Sequence, residues 1–120
     1  MHVRLGRTFT FEAAHRLPTF PEGHKCRRLH GHSFKVEIIL AGDVDEAKGY
    51  LVDYGEVKAV CQPVFDRLDH QYLNEIEGLE NPTAEMLARW IWRQVRPNLP
   101  HLSAVIVRET CNTSCEYRGE

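Results

Sequence analysis

Polar and apolar residues alternate with period two along RTFTFEAAHRL, residues 7–17. Phe9, Phe11, Ala13 and His15 share one face and Thr10, Glu12, Ala14 and Arg16 the other, which predicts a half-buried strand. PTFPEGHKCRR, residues 18–28, carries two prolines, a glycine and a charge cluster, and predicts an exposed loop. Alternation resumes over HGHSFKVEIILA at 30–41, with His30, His32, Phe34, Val36, Ile38 and Leu40 on one face. Each strand carries histidine at one end of its apolar face. GDVDEAKG reads as a turn and YLVD as a short return strand.

The period changes over 54–68, where Val57, Val60, Cys61, Val64 and Leu68 recur at three and four. That spacing predicts a helix with Asp53 as N-cap and Cys61 in the core, and Pro63 predicts a kink or an early end. A second helix is expected from NPTAE, with Asn81 as N-cap and Pro82 at the first helical position, through MLARWIWRQV to Pro97. Its stripe of Leu87, Trp90, Ile91 and Val95 is core material. LSAVIVRET at 102–110 is a β-branched strand, and CNTSCEYRG a tail able to pair with it. The order strand–strand–helix–helix–strand–strand predicts an α+β fold in a single domain spanning 1–120.

Composition adds mainly exclusions. The residues are 42% hydrophobic and 27% charged, ordinary for a globular chain that builds its own core. A net charge of −2 supplies no global basic field for nucleic acid or anionic lipid. No apolar run approaches the roughly 20 residues that span a bilayer. MHVRLGRTFT has no apolar segment with a small-residue cleavage site, so a cytoplasmic protein with reduced Cys26, Cys61, Cys111 and Cys115 is expected.

The chemistry concentrates in CRRLHGH at 26–32. His30 and His32 are two apart on a strand, so both side chains leave one face about 7 Å apart. Gly31 between them lets a ligand or another backbone approach. His15, in phase on the preceding strand, supplies a third imidazole if the strands are neighbours. Three histidines with one vacancy make the ligand set of a catalytic zinc site. Cys26 has two possible jobs. As a fourth ligand it closes the coordination sphere; as a free thiol beside the metal and Lys25, Arg27 and Arg28, it is a base or nucleophile. Spacing leaves both open.

Two further candidates lie elsewhere. In LDHQYLN, Asp69 and His70 are adjacent, the arrangement that keeps an imidazole basic and oriented, although such a pair is more often a solvated turn. Glu109 in VRET ends an apolar strand, as a capping residue or as a recognition group at a pocket mouth.

These segments together resemble the 6-pyruvoyltetrahydropterin synthase family. CRRLHGH is similar to its Cys-x-x-x-His-Gly-His motif and FEAAH to its upstream zinc-histidine segment, and LVDYGEVK, LDHQYLN, NPTAE, VRET and the closing YRGE fall where the family has recurring segments. The length, the spacer before HGH and Cys-x-x-x-Cys near the end look most like bacterial 6-carboxytetrahydropterin synthases of queuosine biosynthesis. The resemblance implies Zn²⁺ on His15, His30 and His32, catalysis by Cys26 with Asp69 and His70, and a pterin anchored by Glu109 with help from Thr83. It implies 7,8-dihydroneopterin triphosphate as substrate, with Lys25, Arg27 and Arg28 able to meet the triphosphate or to stand as a solvated cluster. It further implies a tunnelling fold, an antiparallel sheet with two helices on one face. Strands of several subunits would join into an oligomeric barrel, a hexamer built as a dimer of trimers.

Sibling chemistry on the same scaffold would give 6-pyruvoyltetrahydropterin or cleave the dihydroneopterin side chain for folate. A non-enzymatic zinc module, with Cys26 as fourth ligand and Cys111 and Cys115 on a second ion, is the remoter alternative, and Cys26→Ala separates the two classes.

Overall fold

A computed structural model describes the whole chain, residues 1–120. Two long strands, β1 (His2–His15) and β2 (His30–Asp43), pair antiparallel along their full length, from His2 opposite Asp43 to His15 opposite His30. A short β3 (Gln71–Tyr72) runs parallel to Ala13 and Ala14 on the outer side of β1. On the other side, β4 (Leu102–Arg108) pairs antiparallel with β2, and β5 (Cys115–Tyr117) with β4. The sheet order is β3-β1-β2-β4-β5, and the sheet is not closed.

Two helices, α1 (Tyr54–Asp66) and α2 (Ala84–Val95), cover one face of the sheet. The period-two face of Phe9, Phe11, Phe34, Val36, Ile38 and Leu40 meets the helical stripes of Val57, Cys61, Phe65, Leu87, Ile91 and Val95 in one core. Phe9 of β1 stacks on Phe65 of α1 at 4.7 Å, joining sheet to helix, and Phe11 stacks on its cross-strand partner Phe34 at 4.9 Å. Cys61 is fully buried, and burial pushes its thiol up to about 12, so it is packing and not a nucleophile. No helix is long and apolar enough to cross a membrane.

The α+β order holds, with the two-residue β3 inserted between the helices. Local expectations change at three places. β1 begins at His2 rather than at residue 7 and stops at His15. YLVD is no return strand, because β2 already has β1 opposite Asp43 on one side and β4 opposite Leu40 on the other. The chain there makes only an isolated bridge between Asp45 and Tyr50, closed by Gly49 at a φ of +83°. Asp53 caps α1 as expected, its Oδ1 accepting from the Gly55 N–H at 2.8 Å, and the helix ends within one turn of Pro63. The cap of α2 is Thr83, not Asn81: its hydroxyl accepts from the Met86 N–H at 3.1 Å, and Pro82 stays outside the helix.

Phe34 carries no exposed surface and stands edge-on to both His15 and His32, each at 5.5 Å between centroids. It is the floor of the histidine cluster. Phe34→Ala is expected to cost about 3–5 kcal/mol, read as a lower urea midpoint at unchanged slope.

Candidate active site

The pairing of β1 with β2 brings His15 opposite His30, with His32 one in-phase step further along β2. One ligand nitrogen from each of His15, His30 and His32 lies within 4.8 Å of the others. His15, with no exposed surface, donates its Nδ1–H to the Pro82 carbonyl at 2.9 Å, and His30 donates its Nδ1–H to the Arg28 carbonyl at 2.7 Å. A carbonyl can only accept, so each bond assigns the proton to Nδ1 and leaves a lone pair on Nε2. The two Nε2 atoms then face each other at 2.9 Å.

Two lone pairs cannot bond to each other, so the contact needs a proton or a metal cation between them. Burial, with a smaller contribution from the other two histidines, lowers the His15 pKa to about 4 against the raising effect of Pro82. Burial followed by the neighbouring His30 lowers that of His32 as well. A proton on His15 is therefore disfavoured at neutral pH, and imidazole nitrogens with free lone pairs suit a first-row divalent metal. The donor set fits such an ion, and this triad can hold one.

Cys26 lies outside that cluster. Its half-buried free thiol lines a cavity of about 480 Å³ with Lys25, His30, His32, Glu109 and Thr110. Across the cavity, burial first and the Glu85 carboxylate second raise the Glu109 pKa, while His30 opposes them. Glu109 Oε2 is 4.0 Å from His32 Nε2, and its Oε1 is buried with no hydrogen-bond partner. An unpaired buried acceptor is costly, so this carboxyl is set to receive donors from a ligand.

Asp69 and His70 form the expected pair, with Asp69 Oδ2 at 2.9 Å from His70 Nδ1. Asp69 Oδ1 also accepts the Glu12 N–H at 2.9 Å. That backbone bond, followed by the one to His70, holds the Asp69 carboxyl below its ordinary range. His70 has a φ of +57°, the one residue other than glycine in the left-handed region, and its N–H donates to the Glu12 carbonyl at 2.6 Å. The imidazole is 78% exposed, held by the Asp69 carboxylate and not by packing.

Not every expected residue shares one cavity. His70 lines a separate space of about 540 Å³ with Glu12, Ser33 and Gln71, and only Gly31 and His32 belong to both linings. Thr83 places its hydroxyl on the helix cap, and the next residues, Ala84 and Glu85, line a space beside Glu109. The carbonyls of Pro82 and Arg28 orient the histidines without any side-chain signature, so no residue type in the sequence announces them.

The family model for 6-pyruvoyl tetrahydropterin synthase matches residues 4–120. The chain is 44% identical over 117 residues to a 6-carboxy-5,6,7,8-tetrahydropterin synthase of Synechocystis, spanning 92% of this chain and 89% of the relative. It is 37% identical over 100 residues to a dihydroneopterin monophosphate aldolase of Pyrococcus furiosus, spanning 83% and 81% of the two chains. The solved structure of Caenorhabditis elegans 6-pyruvoyl tetrahydropterin synthase superposes with a TM-score of 0.91 at 26% identity, covering 100% of this chain and 97% of that one.

The backbone at position 70 makes a direct prediction about stability. Asn tolerates the left-handed region, whereas a β-branched residue does not. In thermal or urea melts, His70→Asn should stay within about 0.5 kcal/mol of the parent protein, and His70→Val should lose about 1–2 kcal/mol or more.

Proposed function

The chain belongs to the 6-pyruvoyl tetrahydropterin synthase family and is a lyase of that family, and we propose that it converts 7,8-dihydroneopterin triphosphate to 6-carboxy-5,6,7,8-tetrahydropterin, releasing acetaldehyde and triphosphate, with Zn²⁺ on His15, His30 and His32. The observation that carries this reading is the pair of facing Nε2 lone pairs beside a cavity containing a free thiol and an unpartnered carboxylate oxygen. The name and 44% identity of the Synechocystis relative favour the 6-carboxy product and a place in queuosine biosynthesis.

When bound, zinc supplies Lewis acidity toward the hydroxyls of the substrate side chain, and three protein ligands leave it an open position. Every other role belongs to the chain. Glu109 accepts the adjacent ring N–H and exocyclic amine of the pterin, donors that match its unpaired Oε1. Cys26, as thiolate, takes a proton from the substrate side chain. His70, oriented through Nδ1 by Asp69, keeps Nε2 free to carry a proton between side chain and ring. Loss of triphosphate, followed by cleavage of the carbon–carbon bond with one water, whose oxygen becomes the second carboxylate oxygen, then yields the carboxylate and acetaldehyde. Thr83 contributes through the start of α2, whose first turn borders the space beside Glu109.

In one chain Cys26 and His70 line different cavities, and β1 has no strand partner on its outer side before Ala13. Both features support a homo-oligomer, a hexamer made of two trimers, in which the open edge is covered and sites are completed by a neighbour. A cytoplasmic location is consistent with four free cysteines. The second reading is cleavage of a dihydroneopterin side chain without carboxylate formation, favoured by the name of the Pyrococcus relative at its lower identity of 37%.

Product analysis with dihydroneopterin triphosphate separates these readings, since only the first yields 6-carboxytetrahydropterin together with acetaldehyde. Cys26→Ala should keep its zinc and lose roughly 10²–10⁴-fold in acetaldehyde release. A chelator should abolish turnover in the parent protein, with recovery on adding Zn²⁺. Loss of zinc from Cys26→Ala would instead make the thiol a ligand.

A further inference from the structure

Three cationic side chains crowd the loop between β1 and β2, and they are not equivalent. Lys25 lines the cavity of Cys26, and Arg28 is exposed. Arg27 is half-buried and turned inward, its Nη1 donating to the Pro18 carbonyl at 3.0 Å and to the Phe20 carbonyl at 2.9 Å. Both donors of one guanidinium nitrogen are therefore spent on carbonyls of its own loop. Its partners lie at the far side of the loop, so the contact ties the outgoing limb to the returning one.

The returning limb carries two functional groups. Residues Lys25–Arg27 form one turn of 3-10 helix, capped by His24, whose Nδ1 accepts the Cys26 N–H at 3.0 Å. The Leu17 N–H donates to the Cys26 carbonyl at 3.0 Å, and His24 stacks on Phe20 at 4.4 Å. Cys26 precedes Arg27, and Arg28, which follows it, presents the carbonyl that receives the His30 Nδ1–H. Arg27 thus sits between the thiol and the group that sets the His30 tautomer.

We infer that Arg27 is a positioning residue, a clamp that holds the Cys26 thiol and the orienting carbonyl of His30 in a fixed relation to each other. Loops of this length lose their order readily when internal bonds are removed, and charged donors make the stronger hydrogen bonds. The same contact therefore sets both how the thiol is presented and how well His30 is aimed. The inference rests on the reading of His30 as a metal ligand and Cys26 as the reacting thiol.

The test uses the full-length protein and two readouts besides turnover. Zinc affinity is measured by competition with a chromophoric chelator. Cys26 reactivity is followed in zinc-free protein as the rate of iodoacetamide labelling of its peptide by mass spectrometry. Arg27→Ala should weaken zinc binding by roughly tenfold or more and label Cys26 several-fold faster. Guanidinium ion at sub-denaturing concentration should reverse both changes in part and leave the parent protein unaffected. Arg27→Lys, with its shorter reach and without the planar fork, should fall between, and it supplies the same readouts if the alanine variant does not fold. Unchanged zinc affinity and labelling in Arg27→Ala would overturn the clamp, and weaker protection of Cys26 by inorganic triphosphate alone would make Arg27 a phosphate contact instead. Failure of the parent protein to bind zinc would overturn the functional reading, and labelling would then judge the clamp by itself.

Discussion

Two hydrogen bonds from imidazole to backbone carbonyl govern this site. The Pro82 and Arg28 carbonyls each fix a proton on Nδ1, which turns the Nε2 lone pairs of His15 and His30 toward each other at 2.9 Å. Facing lone pairs repel unless a cation lies between them, and the burial that lowers His15 to about 4 keeps its own ring unprotonated at neutral pH. The buried His15 and the half-buried His30 and His32 thus offer lone pairs that a metal cation can share. Such orienting partners set ligand direction and basicity as much as the ligands themselves do.

The rest of the fold serves to hold these groups at fixed positions. Full-length pairing of β1 and β2 supplies the register that places His15 across from His30. Phe34 closes the cluster from below, and the cap at Thr83 fixes the start of α2, directly after the Pro82 carbonyl. Glu109 then stands at the end of β4, close to His32 and lacking a partner for one oxygen. Cost accumulates where ligands are expected: an unpaired carboxylate oxygen, facing lone pairs and His70 in the left-handed region.

Much of this was legible in the sequence for plain physical reasons. Period-two alternation carried β1, β2 and the face on which His15, His30 and His32 lie, and the three-and-four spacing carried both helices. The two-residue β3 has too few residues to leave a periodic signal, and YLVD looks like a strand because its failure depends on which edges of β2 are already occupied. The cap of α2 moved two residues because Asn81 and Thr83 are both good caps, and only the burial of Pro82 against His15 decides between them. Cys26 was the ambiguous residue. Its separation from the ligand cluster is a matter of loop shape, set by contacts such as those of Arg27 that composition does not reveal. Within one chain His70 likewise lines a cavity apart from that of Cys26, a separation set by tertiary placement and not by any periodicity in the sequence.

The central claim is an open three-imidazole metal site beside a free thiol, and zinc X-ray absorption on the loaded parent protein tests it most directly. The expected first shell contains nitrogen and oxygen alone, at about 2.0–2.1 Å, with imidazole scattering from three rings. A sulfur shell at about 2.3 Å that disappears in Cys26→Ala would contradict it, because the thiol would then close the site that the proposed chemistry needs open.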